Sequence, residues 1–273
     1  MNWVLLPLQY SFMQRGMLTA VIVGIVCAVI GCFVVLRSMS FLGDAMAHAI
    51  LPGVAIAYIL NINLTLGALV ASAIAALGIN TLSSKGKIKE DTAIGIIFTL
   101  SLALGVALIS SMKSYTADLS HILFGNVLGI SQTDLVWTVI LGVGIIAAVV
   151  KVFHPLSIYT FDPIFAATLK INIRTLRAGL FLLIAFTIVM ALQSVGVSLA
   201  VAMLVIPPAA AQLIAKRLPQ MLVISAAIGG LSGLLGLYVS YFLNIASGAA
   251  VVLTAGIIFG VIYLLKRDNH QAK

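Results

Sequence analysis

Asp44 and His48 stand four apart in an otherwise apolar stretch, Ser40-Phe41-Leu42-Gly43-Asp44-Ala45-Met46-Ala47-His48-Ala49-Ile50-Leu51-Pro52-Gly53. Four residues make about one helical turn, so both side chains project from one helix face. A carboxylate and an imidazole on one face can grip the same divalent cation. The bland alternative is a mutual hydrogen bond that neutralises both groups, or an aspartate that opens a helix near the headgroups. The neighbours favour an ion pathway. Ala45, Ala47 and Ala49 leave room for a backbone or an ion to approach. Pro52 removes a backbone donor and predicts a kink, and Gly53 adds slack. Broken helices at membrane depth are a recurring way to build transport sites. Two ligands hold a cation weakly, which suits a pathway that the ion must leave again. The missing ligands would come from other spans, a symmetry mate, backbone carbonyls or water.

The elements that must position this pair are membrane spans. Of 273 residues, 62% are hydrophobic and only 8% charged, against about 25% charged in soluble domains. The composition implies an all-α, polytopic membrane bundle forming one transmembrane domain over 1–273. No polar stretch is long enough for a separate soluble domain. A span needs about 20 apolar residues. Nine stretches approach that, at 14–36, 41–60, 64–82, 92–112, 133–151, 176–194, 196–215, 220–243 and 247–265. Eight would result if 176–215 held one span and a re-entrant piece. The N-terminus lacks a basic region followed by a small-residue cleavage site, so the first span is expected to stay in the mature protein. The net charge of +8 lies in short loops and does not point to nucleic acid. If 85–91 is cytoplasmic, so are 13 of the 15 Lys and Arg residues, leaving only Arg15 and Lys113 outside. Basic loops mark the cytoplasmic face, so the N-terminus is expected outside and the C-terminus inside. From Arg37 to Asp44, a helical rise of about 1.5 Å per residue gives a depth of roughly 10 Å.

Other residues divide between packing and chemistry. Glycines such as Gly24, Gly31, Gly67, Gly229 and Gly233 predict close helix packing. Cys27 and Cys32 read as buried thiols that behave as small hydrophobes. Pro207-Pro208 should interrupt the seventh span. Asp134 is expected to cap the fifth span, and Asn61 and Asn63 to form a turn. Asp118 and His121, in the outer connection, could guide a cation inward but more simply face water. The one glutamate, Glu90, reads as a loop residue. The polar connection 152–178 contains Asp162 followed by Pro163, which suits a helix start with Asp162 as N-cap. Ile164, Phe165, Leu169 and Ile171 would give that short helix an apolar side. It is either a solvated basic loop on anionic headgroups or a docking element for a partner. The sequence contains no Gly-x-x-x-x-Gly-Lys-Ser/Thr, so it offers no P-loop for ATP.

Phe41-Leu42-Gly43-Asp44-Ala45-Met46-Ala47-His48-Ala49-Ile50-Leu51-Pro52-Gly53 resembles the signature of the manganese/zinc/iron permeases of ATP-binding-cassette importers. Asp118-Leu119 with Leu123-Phe124-Gly125, Thr160-Phe161-Asp162-Pro163-Ile164-Phe165-Ala166, and the segment from Val195 to Ala211 resemble further family segments in the same order. Pro208, where an alanine is more usual, and Met46 depart from the pattern without touching the pair. The resemblance implies a type II importer-like permease in a bacterial inner membrane, working as a homodimer. A separate ATPase subunit would bind ATP on the cytoplasmic side, and a separate solute-binding protein would deliver metal from outside. It also implies that Asp44 and His48 face the metal and that Asp162, Pro163 and Phe165 couple to the ATPase. The chain would then be a transport subunit rather than an enzyme, with no cofactor of its own. Its cargo would be Mn²⁺, Zn²⁺ or Fe²⁺. The rivals are a permease for metal chelates, which would not need Asp44 with His48, and a proton-coupled secondary transporter in which the pair relays protons.

Overall fold

A computed structural model describes residues 9–84, 88–111 and 129–271. Among the described residues there are only helices and connecting turns. In chain order they are α1 (Ser11–Leu36), α2 (Leu42–Ala49), α3 (Leu51–Ile59), α4 (Leu64–Ser84), α5 (Glu90–Ser110), α6 (Gln132–Lys151), α7 (Phe153–Phe161), α8 (Pro163–Thr168), α9 (Ile173–Val195), α10 (Val197–Ile214), α11 (Leu218–Leu243) and α12 (Ser247–Gln271). Among the described residues nine helical segments are long and apolar enough to cross a membrane, α2 and α3 together making one of them. The chain is a multi-pass membrane protein.

Inside-out amphipathicity is weak because lipid is the solvent. Leu100, Val143, Val223 and Ile257 are exposed, as a hydrocarbon surround requires. Specificity comes from small residues that let backbones touch. A Cβ added to Gly24 would lie 2.4 Å from the Gly229 carbonyl oxygen, so α1 and α11 meet backbone to backbone. Gly53 of α3 and Gly67 of α4 meet in the same way. In a bilayer such van der Waals contact drives association.

The tight turn near 193–196 separates two full spans. Gly196 sits at φ 87° between α9 and α10, a region glycine enters without a Cβ clash. The re-entrant alternative is thereby discarded. The expected interruption at Pro207-Pro208 is absent, since α10 runs unbroken through both prolines. Pro208 cannot donate to the Leu204 carbonyl. That oxygen is instead pressed against Gly31 of α1, where an added Cβ would stand only 2.0 Å away. Close cover by a neighbouring helix is what makes proline tolerable inside a span.

Asp134 does cap α6, but from the third helical position. Ser131 is the N-cap and Asp134 returns the bond, completing a capping box. Asn61 takes φ 53° and Asn63 Oδ1 accepts from the Thr65 amide at 2.8 Å, forming the turn into α4. Cys27 and Cys32 are free thiols, fully buried in α1.

Candidate metal site

The helix carrying Asp44 and His48 is built from two pieces. Ser38 has φ 57° and turns the chain out of α1, and hydrogen bonds from the Met39 amide to Val34 O and from the Leu42 amide to Met39 O fix the corner. The helix therefore begins at Leu42, and Asp44 lies in its first turn. The depth expected from a continuous helical rise after Arg37 does not apply, because 37–41 is a turn. The second piece starts at Leu51 with Pro52 in its first turn. The helix is interrupted at Ile50, just ahead of the proline, whose missing N–H leaves the His48 carbonyl without its helical donor.

Alanine and glycine sink this helix into the bundle. Leu42, Gly43, Ala45, Met46, Ala47 and Ala49 are buried, packed against α4, α5, α9 and α10. Asp44 and His48 point from the remaining face and stay partly open, at 41% and 28% side-chain exposure. His48 Nε2 stands 3.7 Å from Asp44 Oδ1. That is too long for a hydrogen bond, so the two groups do not neutralise one another that way. It does suit a shared ion: two ligand atoms each about 2.1 Å from a metal would subtend roughly 120° across this gap. His48 Nδ1 is buried and finds no hydrogen-bond partner among the described residues. No group of three or more His, Cys, Asp and Glu forms among the described residues. Among the described residues the pair is thus an incomplete donor set.

An aromatic residue that the sequence did not single out braces the imidazole. Phe98 of α5 meets His48 edge to face, ring centroids 5.6 Å apart, and meets Phe41 at 5.7 Å. Spacing alone could not reveal this, because Phe98 reaches His48 across two spans. Beside the kink runs an apolar groove of about 440 Å³ between α3, α4 and α5, lined by Pro52, Gly53, Ile74, Ile97 and Leu104 among others. No ionisable side chain lines it, so the polar chemistry stays at Asp44 and His48.

The segment 162–169 forms as expected. Asp162 Oδ1 accepts from the Ile164 and Phe165 amides, both at 2.9 Å, and Pro163 opens α8. Ala166 is buried while Ile164 and Phe165 are 80% and 51% exposed. The helix therefore presents bare apolar side chains outward at an end of the bundle. Ile171 instead packs partly buried against the core. Glu90 does not lie in a loop. It is the first residue of α5 and pairs with Arg37 and Arg177. Asp118, His121 and the Leu123-Phe124-Gly125 segment fall outside the described residues.

Comparison with known proteins places the chain in a family. The model of the ABC 3 transport family matches residues 9–266. The manganese transport system membrane protein MntC of Listeria monocytogenes is 47% identical over 257 residues, covering 94% of this chain and 91% of the relative. The manganese import system permease protein ScaB of Streptococcus parasanguinis is 43% identical over 265 residues, 97% of this chain and 94% of that one. A probable iron transport system membrane protein of Haemophilus influenzae is 38% identical, covering 94% of this chain and 95% of the relative. Among solved structures, PsaBC from Streptococcus pneumoniae in complex with Fab superposes with a TM-score of 0.82 at 41% identity, covering 93% of this chain and 91% of that one. An inward-facing ABC transporter of the metal-chelate type shares the fold, with a TM-score of 0.71 at 17% identity over 92% of this chain and 85% of that one. The chain is a membrane-spanning permease and belongs to the ABC 3 transport family.

Proposed function

We propose that this permease imports divalent manganese, with Asp44 and His48 as a transient waypoint for the ion. The observation that carries this reading is the 3.7 Å gap between His48 Nε2 and Asp44 Oδ1 on the partly open face of an otherwise buried helix that is interrupted at Ile50. One oxygen and one nitrogen donor suit Mn²⁺ and also admit Zn²⁺ and Fe²⁺. Relatives named for manganese transport favour the first, while the Haemophilus influenzae relative supports Fe²⁺ as a second reading. The incomplete donor set keeps the ion's residence short. A second copy of the chain, backbone carbonyls or water would complete the coordination.

In this reading the permease pairs with a second copy and receives metal from an external solute-binding protein. A separate ATPase subunit supplies the energy from the cytoplasm. The N-terminal end of α1 lies outside and the C-terminal end of α12 inside, as the distribution of Lys and Arg supports. Segment α8 docks in the ATPase through Ile164 and Phe165, held in shape by the Asp162 cap and Pro163. Exposed apolar side chains outside the lipid need such a partner.

The test is ⁵⁴Mn²⁺ uptake by cells carrying the permease with its partner ATPase, wild type or with the ATPase catalytic residue substituted. Uptake that stops in the substituted strain supports the importer. Uptake that persists and follows the proton gradient would overturn it in favour of a secondary transporter.

A further inference from the structure

A second cluster of ionisable groups lies away from the metal pair, at one end of the bundle. Glu90 is its centre. Arg37 Nη2 donates to both carboxylate oxygens, at 3.3 and 3.2 Å, and Arg177 Nη1 donates to Oε1 at 3.4 Å. The two arginine side chains are 13% exposed and the glutamate 24%. Each guanidinium has a further anchor. Arg177 Nε donates to Asn80 Oδ1 at 2.9 Å and Nη2 to the Asn80 carbonyl at 3.3 Å. Arg37 Nη1 donates to the Tyr159 carbonyl at 3.4 Å, and its Cζ stands 4.2 Å from the Tyr159 ring centroid. Burial pushes the Tyr159 phenol up to about 12, Arg37 and Arg177 pulling against burial and Glu90 adding to it. The ring is therefore neutral and offers its π face to the cation.

The cluster is made of helix ends. Glu90 opens α5, where a carboxylate meets the positive end of the helix dipole. Tyr159 lies in the last turn of α7, whose free carbonyls attract a cation. Arg37 is the C-cap of α1, Asn80 lies near the end of α4 and Arg177 near the start of α9.

These ends connect the two sites already described. Segment α8 packs on α7 and α9, and each of those carries a partner in the cluster: Arg37 grips the Tyr159 carbonyl of α7, and Arg177 belongs to α9. On the other side, Arg37 leads through the hydrogen-bonded corner at 38–41 into the turn that holds Asp44. Glu90 leads along α5 to Phe98, which touches His48. Both routes from α8 therefore meet both routes to the metal pair at a single carboxylate. Asp162 is tied to the last turn of α7, the turn that carries Tyr159, by its amide bond to Ile158 O, 2.9 Å.

We infer that Glu90 is a positioning residue for coupling: through Arg37 and Arg177 it ties the ATPase-docking segment to the root of the metal-bearing helix, so that movement of α8 reaches Asp44 and His48. This rests on the coupling role proposed for α8. Without the carboxylate, two guanidiniums would share a half-buried end of the bundle with no counter-charge, and the helix ends would part.

The experiment uses the complete permease–ATPase complex in proteoliposomes, measuring Mn²⁺ transported per ATP hydrolysed for each assembled complex. Glu90→Gln keeps the shape and loses the charge. ATP hydrolysis should stay within about twofold of wild type while Mn²⁺ per ATP falls about tenfold, and Glu90→Asp should restore part of it. If Glu90→Gln does not assemble, the triple variant Arg37→Met, Glu90→Leu, Arg177→Met removes all three charges together, an exchange that buried ion clusters tolerate. It should assemble and be equally uncoupled. A wild-type Mn²⁺-to-ATP ratio in the assembled variants, or hydrolysis and transport falling in proportion, would overturn the proposal. The docking role of α8 is scored separately, by whether Phe165→Ala releases the ATPase.

Discussion

The contact of α3 with α4 makes a quantitative prediction, because it is backbone on backbone. A Cβ placed on Gly53 would lie 2.2 Å from the Gly67 carbonyl oxygen and 2.5 Å from Ala71 Cβ. Neither atom can swing aside by changing a rotamer. Restoring an ordinary contact of about 3.4 Å requires the two helices to separate by about 1.2 Å. Overpacking of this kind costs about 1–3 kcal/mol. In lipid no hydrophobic term between helices offsets the lost van der Waals contact. At roughly 2–4 °C per kcal/mol for chains of this size, Gly53→Ala should lower the midpoint of thermal unfolding in detergent by on the order of 5 °C. The buried thiols of Cys27 and Cys32 provide the readout, since a thiol-reactive dye labels them only as the bundle opens. Gly144→Ala and Gly256→Ala are controls, because an added Cβ there meets no atom within 4 Å. Gly53→Ala with Gly67→Ala should cost less than the sum of the two, since both relieve the same contact. A Gly53→Ala protein that melts with the controls would refute the close approach. Uptake should fall with stability, because α3 continues directly from the kink after His48.

Two further outcomes follow from the site. Asp162→Ala removes the acceptor for two amides of a six-residue helix, a loss of about 1 kcal/mol. With Phe165→Ala, it should weaken co-purification of the ATPase about tenfold or more, while lowering the permease's own melting midpoint by only about 2–4 °C. Phe98→Ala frees the His48 ring from its edge-to-face neighbour, worth about 0.5–1.5 kcal/mol. The apparent KM for Mn²⁺ uptake should rise several-fold, and Phe98→Tyr, which keeps the ring, should restore it.

Much of this fold was legible from composition and period alone. Apolar runs of spanning length need no tertiary information. The Asp162-Pro163 start and the Asn61 and Asn63 turn are likewise local chemistry. Asp44 and His48 were legible as a pair because one helical turn separates them. What escaped depends on packing between distant segments. The prolines of α10 signal a break, and only the approach of Gly31 shows why the helix continues. Glu90 follows a basic, loop-like stretch, and nothing local reveals that Arg37 and Arg177, 53 and 87 residues away, converge on it. Phe98 is one apolar residue among many until α5 is laid beside α2. Cross-helix partners leave no periodic trace, so tertiary contact is what reveals them.

The central claim, that Asp44 and His48 together receive the ion, is tested most directly by ⁵⁴Mn²⁺ accumulation with Asp44→Asn and His48→Ala. The assay is run in membranes where each variant assembles with its ATPase at wild-type level. Asp44→Asn replaces the carboxylate donor with a neutral amide and His48→Ala removes the imidazole donor across the 3.7 Å gap, and both leave the buried face of the helix intact. Either variant should lose Mn²⁺ accumulation about tenfold or more, with the double variant no worse than the more severe single one. Wild-type accumulation in both single variants would contradict it.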